Sequence, residues 1–295
     1  MELGQLRALR DRGSIAAVAA ALRVTPSSVS QQLSALQRQS PAPLTYKDGR
    51  RTARTDAGRA LASAAVDVEI ALTRAEQAVA QFQAEPTGTV TVTAFHSAAA
   101  AFFGPLLKGK DATVPSIRVH DFDVAQDEFA GLTADFDLVV AHRLVGSAPW
   151  PGTVRVDPLF FEPLDIAVRR GHPLAEKKTL RPEDLRAVSW VAVQDDFPLA
   201  AAVNLIASTA GAEARIEHRV NDFAVATTVV AVTDCVALLP RHLSDLHSHP
   251  DVVLRPLTAP RIGRQIDCLS RPESLERATT MAVLDRLRLI ANDLT

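Results

Sequence analysis

Cysteine occurs only twice in these 295 residues, at Cys235 and Cys268, each in a stretch that reads as an apolar strand. The disulfide framework that staples small secreted domains is thereby excluded. A single redox bridge needs both thiols within covalent reach, which their spacing does not establish; the simpler expectation is two small buried hydrophobes. The chain also lacks a cationic leader followed by an apolar core, and it has no run of 18 apolar residues. Neither export nor a membrane span is indicated, so a cytoplasmic location is expected. Repeats of solenoid length and low-complexity tracts beyond alanine richness are missing too.

Catalytic signatures are equally scarce. There is no G-x-G-x-x-G, no phosphate loop with Lys-Ser/Thr, no H-E-x-x-H and no G-x-S-x-G elbow, so no enzyme activity, metal or cofactor is expected. His242, His247 and His249 lie close in sequence, but nothing completes a ligand set at helical or hairpin spacing, and a polar loop explains them equally well. Adjacent carboxylates at Asp195-Asp196 diverge on a strand or loop and suit solvent better than acid/base work.

What the chain does have begins at residues 14–36, SIAAVAAALRVTPSSVSQQLSAL. Ser14 is placed to cap a first helix with Ile15, Val18, Ala19 and Leu22 as its apolar stripe, and Arg23-Val24 makes the turn. Thr25 then caps a second helix with Pro26 in its first position, where a missing N–H costs nothing. At about 100° per residue, Val29, Leu33 and Leu36 share one side of that helix. Ser27, Ser30, Gln31, Ser34 and Arg38 share the other, with Ser28 near the start. Such side chains bond phosphates and base edges in a major groove, which admits one helix. A plain helical hairpin with a solvated face gives the same pattern in isolation.

The context favours DNA. Residues 44–55, LTYKDGRRTART, read as a β-hairpin around Asp48-Gly49 that gathers Lys47, Arg50, Arg51 and Arg54 into a wing suited to phosphate. Residues 1–58 hold nine Lys and Arg against four Asp and Glu, whereas the remainder is acidic. One end of the chain is thus built for a polyanion.

These residues resemble the winged helix-turn-helix of LysR-type transcriptional regulators. The resemblance rests on Gly13-Ser14, Ala20-Ala21, Leu22, Ser27, Val29-Ser30, Leu33, Leu36, Leu44, Lys47, Arg50, Thr55 and Gly58. The chain departs from the pattern at Gln37, Pro41, Thr45 and Lys47, where the family usually has Glu, Gly, Phe and Arg, and its opening helix is about one turn short. The resemblance implies double-stranded operator DNA as partner, a small-molecule effector and assembly as a dimer or tetramer; contact with RNA polymerase is left open.

From Gly58 to Gln83, Leu61, Ala65, Val68, Leu72, Ala75, Val79 and Phe82 alternate by four and three, an a/d seam flanked by Asp67, Glu69, Arg74 and Glu76. A seam this narrow calls for a second copy, the alternative being a helix packed on its own domain. Glu85-Pro86-Thr87-Gly88 ends it.

Beyond it, short strands alternate with helices: strands at 89–95, 116–122, 135–142, 159–170, 190–193, 214–220, 235–240 and 265–270, and helices near 97–109, 199–210, 222–232 and 274–293. The expected fold is α/β overall: a winged helix-turn-helix (1–58), a long linker helix (59–85) and a periplasmic-binding-protein-like effector domain (88–295) of two subdomains, 88–162 with 266–295, and 163–265. Ligands in such folds sit beyond the carboxyl ends of the strands, between the lobes. The strand ending at Phe95-His96 delivers Ser97 and the amides of Ala98 and Ala99 to a helix N-terminus, which suits an anionic effector such as a carboxylate. Ser97 as a simple cap is compatible with this. His142 and Arg143 are expected on the floor; by the resemblance, Gln194, Asp195, Asp222 and Phe223 face the same cleft. A small-molecule-binding protein with a vestigial DNA module is the alternative function.

Overall fold

The computed structural model describes residues 2–48, 51–80, 88–108, 115–195, 197, 199–243 and 249–295. Three helices open the chain, α1 (Glu2–Arg12), α2 (Ile15–Leu22) and α3 (Pro26–Gln39), followed by a hairpin of β1 (Thr45–Asp48) and β2 (Arg51–Arg54). Both caps form: Ser14 Oγ accepts from the Ala17 amide at 3.1 Å, and Thr25 Oγ1 from the Ser28 amide at 3.2 Å. Between them Arg23 adopts a left-handed conformation, and the Arg23 and Val24 amides close onto the carbonyls of Ala20 and Ala19. Leu6, Leu9, Val18, Val29, Leu33 and Leu36 form one core. Leu22 departs from the expected stripe and is 46% exposed, since the last residue of an eight-residue helix overhangs the core that Val18 and Ala19 reach.

Two features of the join between α3 and the wing have a visible structural use. Gln37 Oε1 accepts from the Leu44 amide (2.7 Å) while its Nε2 donates to the Ala42 carbonyl (3.0 Å), pinning the loop that carries Pro41. Gly58 lies in the first turn of the long helix α4 (Asp56–Ala80), where a Cβ would stand 2.0 Å from the Leu44 carbonyl oxygen, so only glycine lets helix and wing touch.

The rest of the described chain is one nine-stranded sheet with helices on it. Its strands are β3 (Thr89–Ala94), β4 (Ser116–Asp121), β5 (Leu138–Leu144), β6 (Arg155–Arg169), β7 (Ser189–Ala192), β8 (Arg215–Arg219), β9 (Val236–Pro240), β10 (Val252–Arg255) and β11 (Gly263–Ser270). The order is β4-β3-β5-β11-β6-β9-β7-β8, with β10 also on β6. β6 is the joint between two halves: Arg155 to Pro163 pairs with β11, and Leu164 onward pairs with β9 and β10. It starts earlier than the sequence suggests because Pro158, which lacks a ladder N–H, sits at a register shift between Ile266 and Asp267. β10 has no expected counterpart.

Helices α5 (His96–Leu107), α6 (Phe129–Leu132) and α9 (Ala278–Leu294) accompany the first half, and α7 (Ala200–Thr209) and α8 (Phe223–Val232) the second. The first half has an apolar core around Phe102, Phe129 and Leu138, and the second has one around Trp190, Ile206 and Ile166 and another around Val191, Val230 and Leu239. Cys268 belongs to the first of these and Cys235 to the last; both are free thiols whose pKa burial raises.

The N-terminal helices rest on the sheet-bearing part through charge. Arg7, 2% exposed, meets Glu69 of α4 and Glu273 (2.6 Å), which follows β11. Arg12 pairs with Asp135 at 2.6 Å and also donates to the Ala134 carbonyl.

Candidate nucleic-acid interface and ligand cleft

Helix α3 divides by face as its spacing requires. Val29, Leu33 and Leu36 are buried, whereas Thr25, Pro26, Ser27, Ser30, Gln31, Ser34 and Arg38 are turned outward and Ser28 is half-buried beside its cap. Hydroxyl, amide and guanidinium groups therefore stand together on an outward helix surface. On the hairpin Lys47 is exposed opposite Thr52, while Arg54, opposite Thr45, is half-buried, and burial together with Arg10 lowers its pKa. Arg50 and the side chain of Arg51 lie outside the described residues. Along α4, Val68, Leu72 and Val79 are 47%, 59% and 68% exposed, so the apolar seam stays open in the single chain. Ala62 and Ala65 pack inward, and Glu69 and Arg74 pair with Arg7 and Glu276. Phe82 lies outside the described residues.

Between the two halves of the sheet lies a cleft of about 240 Å³. Of the residues singled out in the sequence, His96, Ser97, His142, Asp222 and Phe223 line it. Ala98 is buried in the first-half core instead. Strand alternation explains why Arg143 turns away from its neighbour His142: its Nε donates to Asp267 (2.9 Å) on the opposite face of β5 and β11. Gln194 and Asp195 do not line the cleft: the Gln194 backbone N–H donates to Asn221 Oδ1 (2.8 Å) and Asp195 pairs with Arg219 (2.8 Å). Phe197 and Leu199 from the same loop reach the cleft in their place.

Arg264 is the residue that sequence reasoning passed over. It enters from β11 directly after Gly263, where any Cβ would stand 2.3 Å from the Phe161 ring. The residue is 3% exposed, its Cζ lies 4.6 Å from the ring centroid of Phe95 and 5.6 Å from that of Phe223, and its Nη2 donates to Ser97 Oγ at 2.9 Å. Its Nε is buried without an acceptor, and among the described residues no carboxylate forms an ion pair with it. Burial pushes the guanidinium down to about 10, against the pull of Glu162 and Asp123, so it is still a cation at neutral pH. In the sequence Arg264 stands one residue before the strand read at 265–270, beside Gly263, and nothing local marks it as a cleft residue.

Ser97 does not cap α5. Phe95 holds the cap position with no side-chain bond, which leaves the Ser97 hydroxyl to Arg264 and the start of the helix without a capping side chain, although the Ala99 amide is taken by the Phe95 carbonyl at 2.9 Å. His142 stands edge-on to Phe95 with 4.7 Å between centroids; burial, then Arg264, pushes it down to about 3, so it is neutral. At the mouth, His96 Nδ1 lies 3.4 Å from Asp121 and its Nε2 3.8 Å from Asp222, joining one half of the sheet to the other. Glu162, beneath the cleft, is fully buried, accepts the amides of His242 (2.9 Å) and Leu243 (3.0 Å), and has its pKa raised by burial.

His242 packs edge-on to Phe160, and His247 lies outside the described residues. The one close group of potential metal ligands among the described residues is Glu217, His218 and Cys235, within 4.8 Å of one another, and there the Cys235 thiol already donates to Glu217.

A two-lobed ligand cleft behind a winged helix-turn-helix defines a class, the one-chain regulators that combine a DNA-reading head with a binding domain. Residues 2–59 match the bacterial regulatory helix-turn-helix protein, lysR family, and residues 83–289 match the LysR substrate binding domain. The chain belongs to the LysR family of transcriptional regulators, which is not a family of enzymes. It is 27% identical over 195 residues to the HTH-type transcriptional regulator GbpR of Rhizobium radiobacter, an alignment spanning 64% of this chain and 63% of that relative's length. Its fold is similar to that of a full-length, singly substituted OxyR from Pseudomonas aeruginosa (TM-score 0.65, 18% identity, 98% of this chain and 94% of that one). It is also similar to full-length CbnR complexed with its target DNA (TM-score 0.53, 21% identity, 99% and 100%). No helix of the described residues is long and apolar enough to cross a membrane.

Proposed function

We propose that the protein is a cytoplasmic, sequence-specific regulator, dimeric or tetrameric, whose hold on operator DNA changes when a small anionic effector enters the cleft. Residues 1–58 would read DNA through α3 and the wing, 59–85 would pair subunits, and 88–295 would sense. The observation that carries the effector reading is Arg264: a buried, charged guanidinium facing a cleft without a carboxylate partner is costly unless a ligand supplies the anion. The uncapped start of α5 adds amides suited to the same charge. An effector can act only through unequal affinity for two arrangements of the molecule, and a site between lobes is suited to that.

The test is a mobility shift with the protein's own upstream DNA, alongside thermal shifts with small carboxylates and their uncharged amides. The reading expects binding of that DNA, stabilisation by an acid and none by its amide, and loss of that stabilisation in Ser97→Phe, which fills the helix N-terminus. Ligand binding without any shift of DNA would instead favour a binding protein with a vestigial DNA module. Stabilisation by amides and acids alike would remove the anion from the argument.

A further inference from the structure

An anion accounts for Arg264 and Ser97, but it does not account for the acidic side of the same cleft. Asp123 lines it, and among the described residues its carboxylate has neither a hydrogen bond nor an ion pair. Of the other polar groups lining it, Asp222 Oδ1 accepts the Val225 amide (2.9 Å) and its second oxygen faces His96, Asn221 Oδ1 holds the Gln194 backbone amide, and the neutral His142 ring keeps a buried Nδ1 without a partner. Arg264 and Asp123 feel each other's charge without forming an ion pair. Arg264 is therefore only partly satisfied and Asp123 not at all, and both line the cleft. Burial raises the Asp123 pKa although its side chain is open to the cleft, which is what an unpaired carboxylate beside protein walls does.

Charge accounting points the same way. A simple monoanion would place its charge beside two carboxylates, Asp123 and Asp222, in a site whose buried cation is Arg264 alone. A ligand that carries both signs adds no net charge and closes the open pair. The remaining walls, Phe197, Leu199, Phe223 and Leu243, are apolar, and about 240 Å³ is small even for a ligand pocket.

We propose that the effector is a small apolar α-amino acid bound as its zwitterion, with the carboxylate on Arg264 and Ser97, the ammonium on Asp123 and the side chain against Phe197, Leu199, Phe223 and Leu243. This rests on the reading of the cleft as the effector site.

Calorimetric titration of the full chain with L-leucine, L-methionine and L-phenylalanine tests it, against the same compounds without the amino group (4-methylpentanoate, 4-(methylthio)butanoate, 3-phenylpropanoate) and without the carboxylate (the matching amines). At least one amino acid should bind, and removing either charged group should weaken it roughly tenfold or more, the worth of one charged hydrogen bond. Asp123→Asn, at an open position that folding tolerates, should weaken the amino acid and leave the deaminated acid's affinity within a few fold. Equal affinity for an amino acid and its deaminated form overturns the proposal, as does unchanged amino-acid binding by Asp123→Asn. Binding of the deaminated acids alone sinks the zwitterion and leaves an anion cleft. If none of these compounds binds, and the carboxylate panel also leaves a protein that shifts its operator unstabilised, the zwitterion and the effector-cleft reading both fall.

Discussion

Single side chains decide what this molecule reads and where it titrates. Gln31 stands exposed on α3, and an amide makes two hydrogen bonds to an adenine edge. Gln31→Ala should cost about 1–3 kcal/mol on the specific operator and leave non-specific affinity nearly intact, measured by titrating both DNAs at one salt concentration. Equal loss on both would assign Gln31 to the backbone. His142 makes a second residue-scale prediction. Its folded pKa of about 3 lies below the value of about 6.5 in an unfolded chain, so the unfolded state takes up a proton that the native state refuses. Its contribution is complete above about pH 6.5 and is lost as pH falls from there toward about 3, by at most about 1.4 kcal/mol per unit. Denaturant melts at about pH 6.5, 5.5 and 4.5 should show a shallower acid loss in His142→Leu than in the wild type; parallel curves would mean that His142 is protonated in the native state.

At the scale of elements, helix α4 faces two ways. Ala62 and Ala65 pack inward, Ala62 on the N-terminal core, while Val68, Leu72 and Val79 form an open apolar line that the described residues leave uncovered. An aspartate in a seam closed by a second copy leaves a desolvated charge without a partner. Leu72→Asp should therefore sediment as a monomer and fail on a two-half-site operator; a fully dimeric variant would place the subunit contact elsewhere. The helix boundaries were legible because caps and breakers are local: Ser14, Thr25, Pro26 and Asp222 each mark the start of a helix, as the sequence implied. Strand ends were less so. β6 runs on through Pro158 because a register shift against β11 accommodates it, and that shift belongs to the pair of strands rather than to either sequence.

For the whole molecule, the question is how the DNA-reading end is tied to the sensing end. β11 carries Arg264 at one end and leads at the other to Glu273, which meets Arg7 of α1. Arg7 is buried between Glu69 and Glu273, so Glu273→Ala leaves a buried guanidinium with one partner fewer and should lower stability by about 1–3 kcal/mol. Asp135→Ala removes an exposed partner of Arg12 and should cost less than about 1 kcal/mol. Chemical denaturation of both variants checks the order; the reverse order would mean that the two parts separate readily in solution and that Arg7 is hydrated there.

The sequence by itself determined the family, the helix-turn-helix with its sorted faces, the seam of α4 and the alternation of strands and helices. All of these are written in local caps, turns and periodicities that neighbouring residues enforce on one another. It also marked His96, Ser97 and His142, which end strands or open a helix, while the family resemblance marked Asp222 and Phe223. Only the tertiary structure decided that Arg143 turns to Asp267 while His142 faces the cleft, that Asp195 is taken by Arg219, and that Gly263 lets β11 pass Phe161 and deliver Arg264 to Ser97, 167 residues away in the chain. A side chain's partner across a sheet depends on register and on which carboxylates are already occupied, and neither is fixed by the residues beside it.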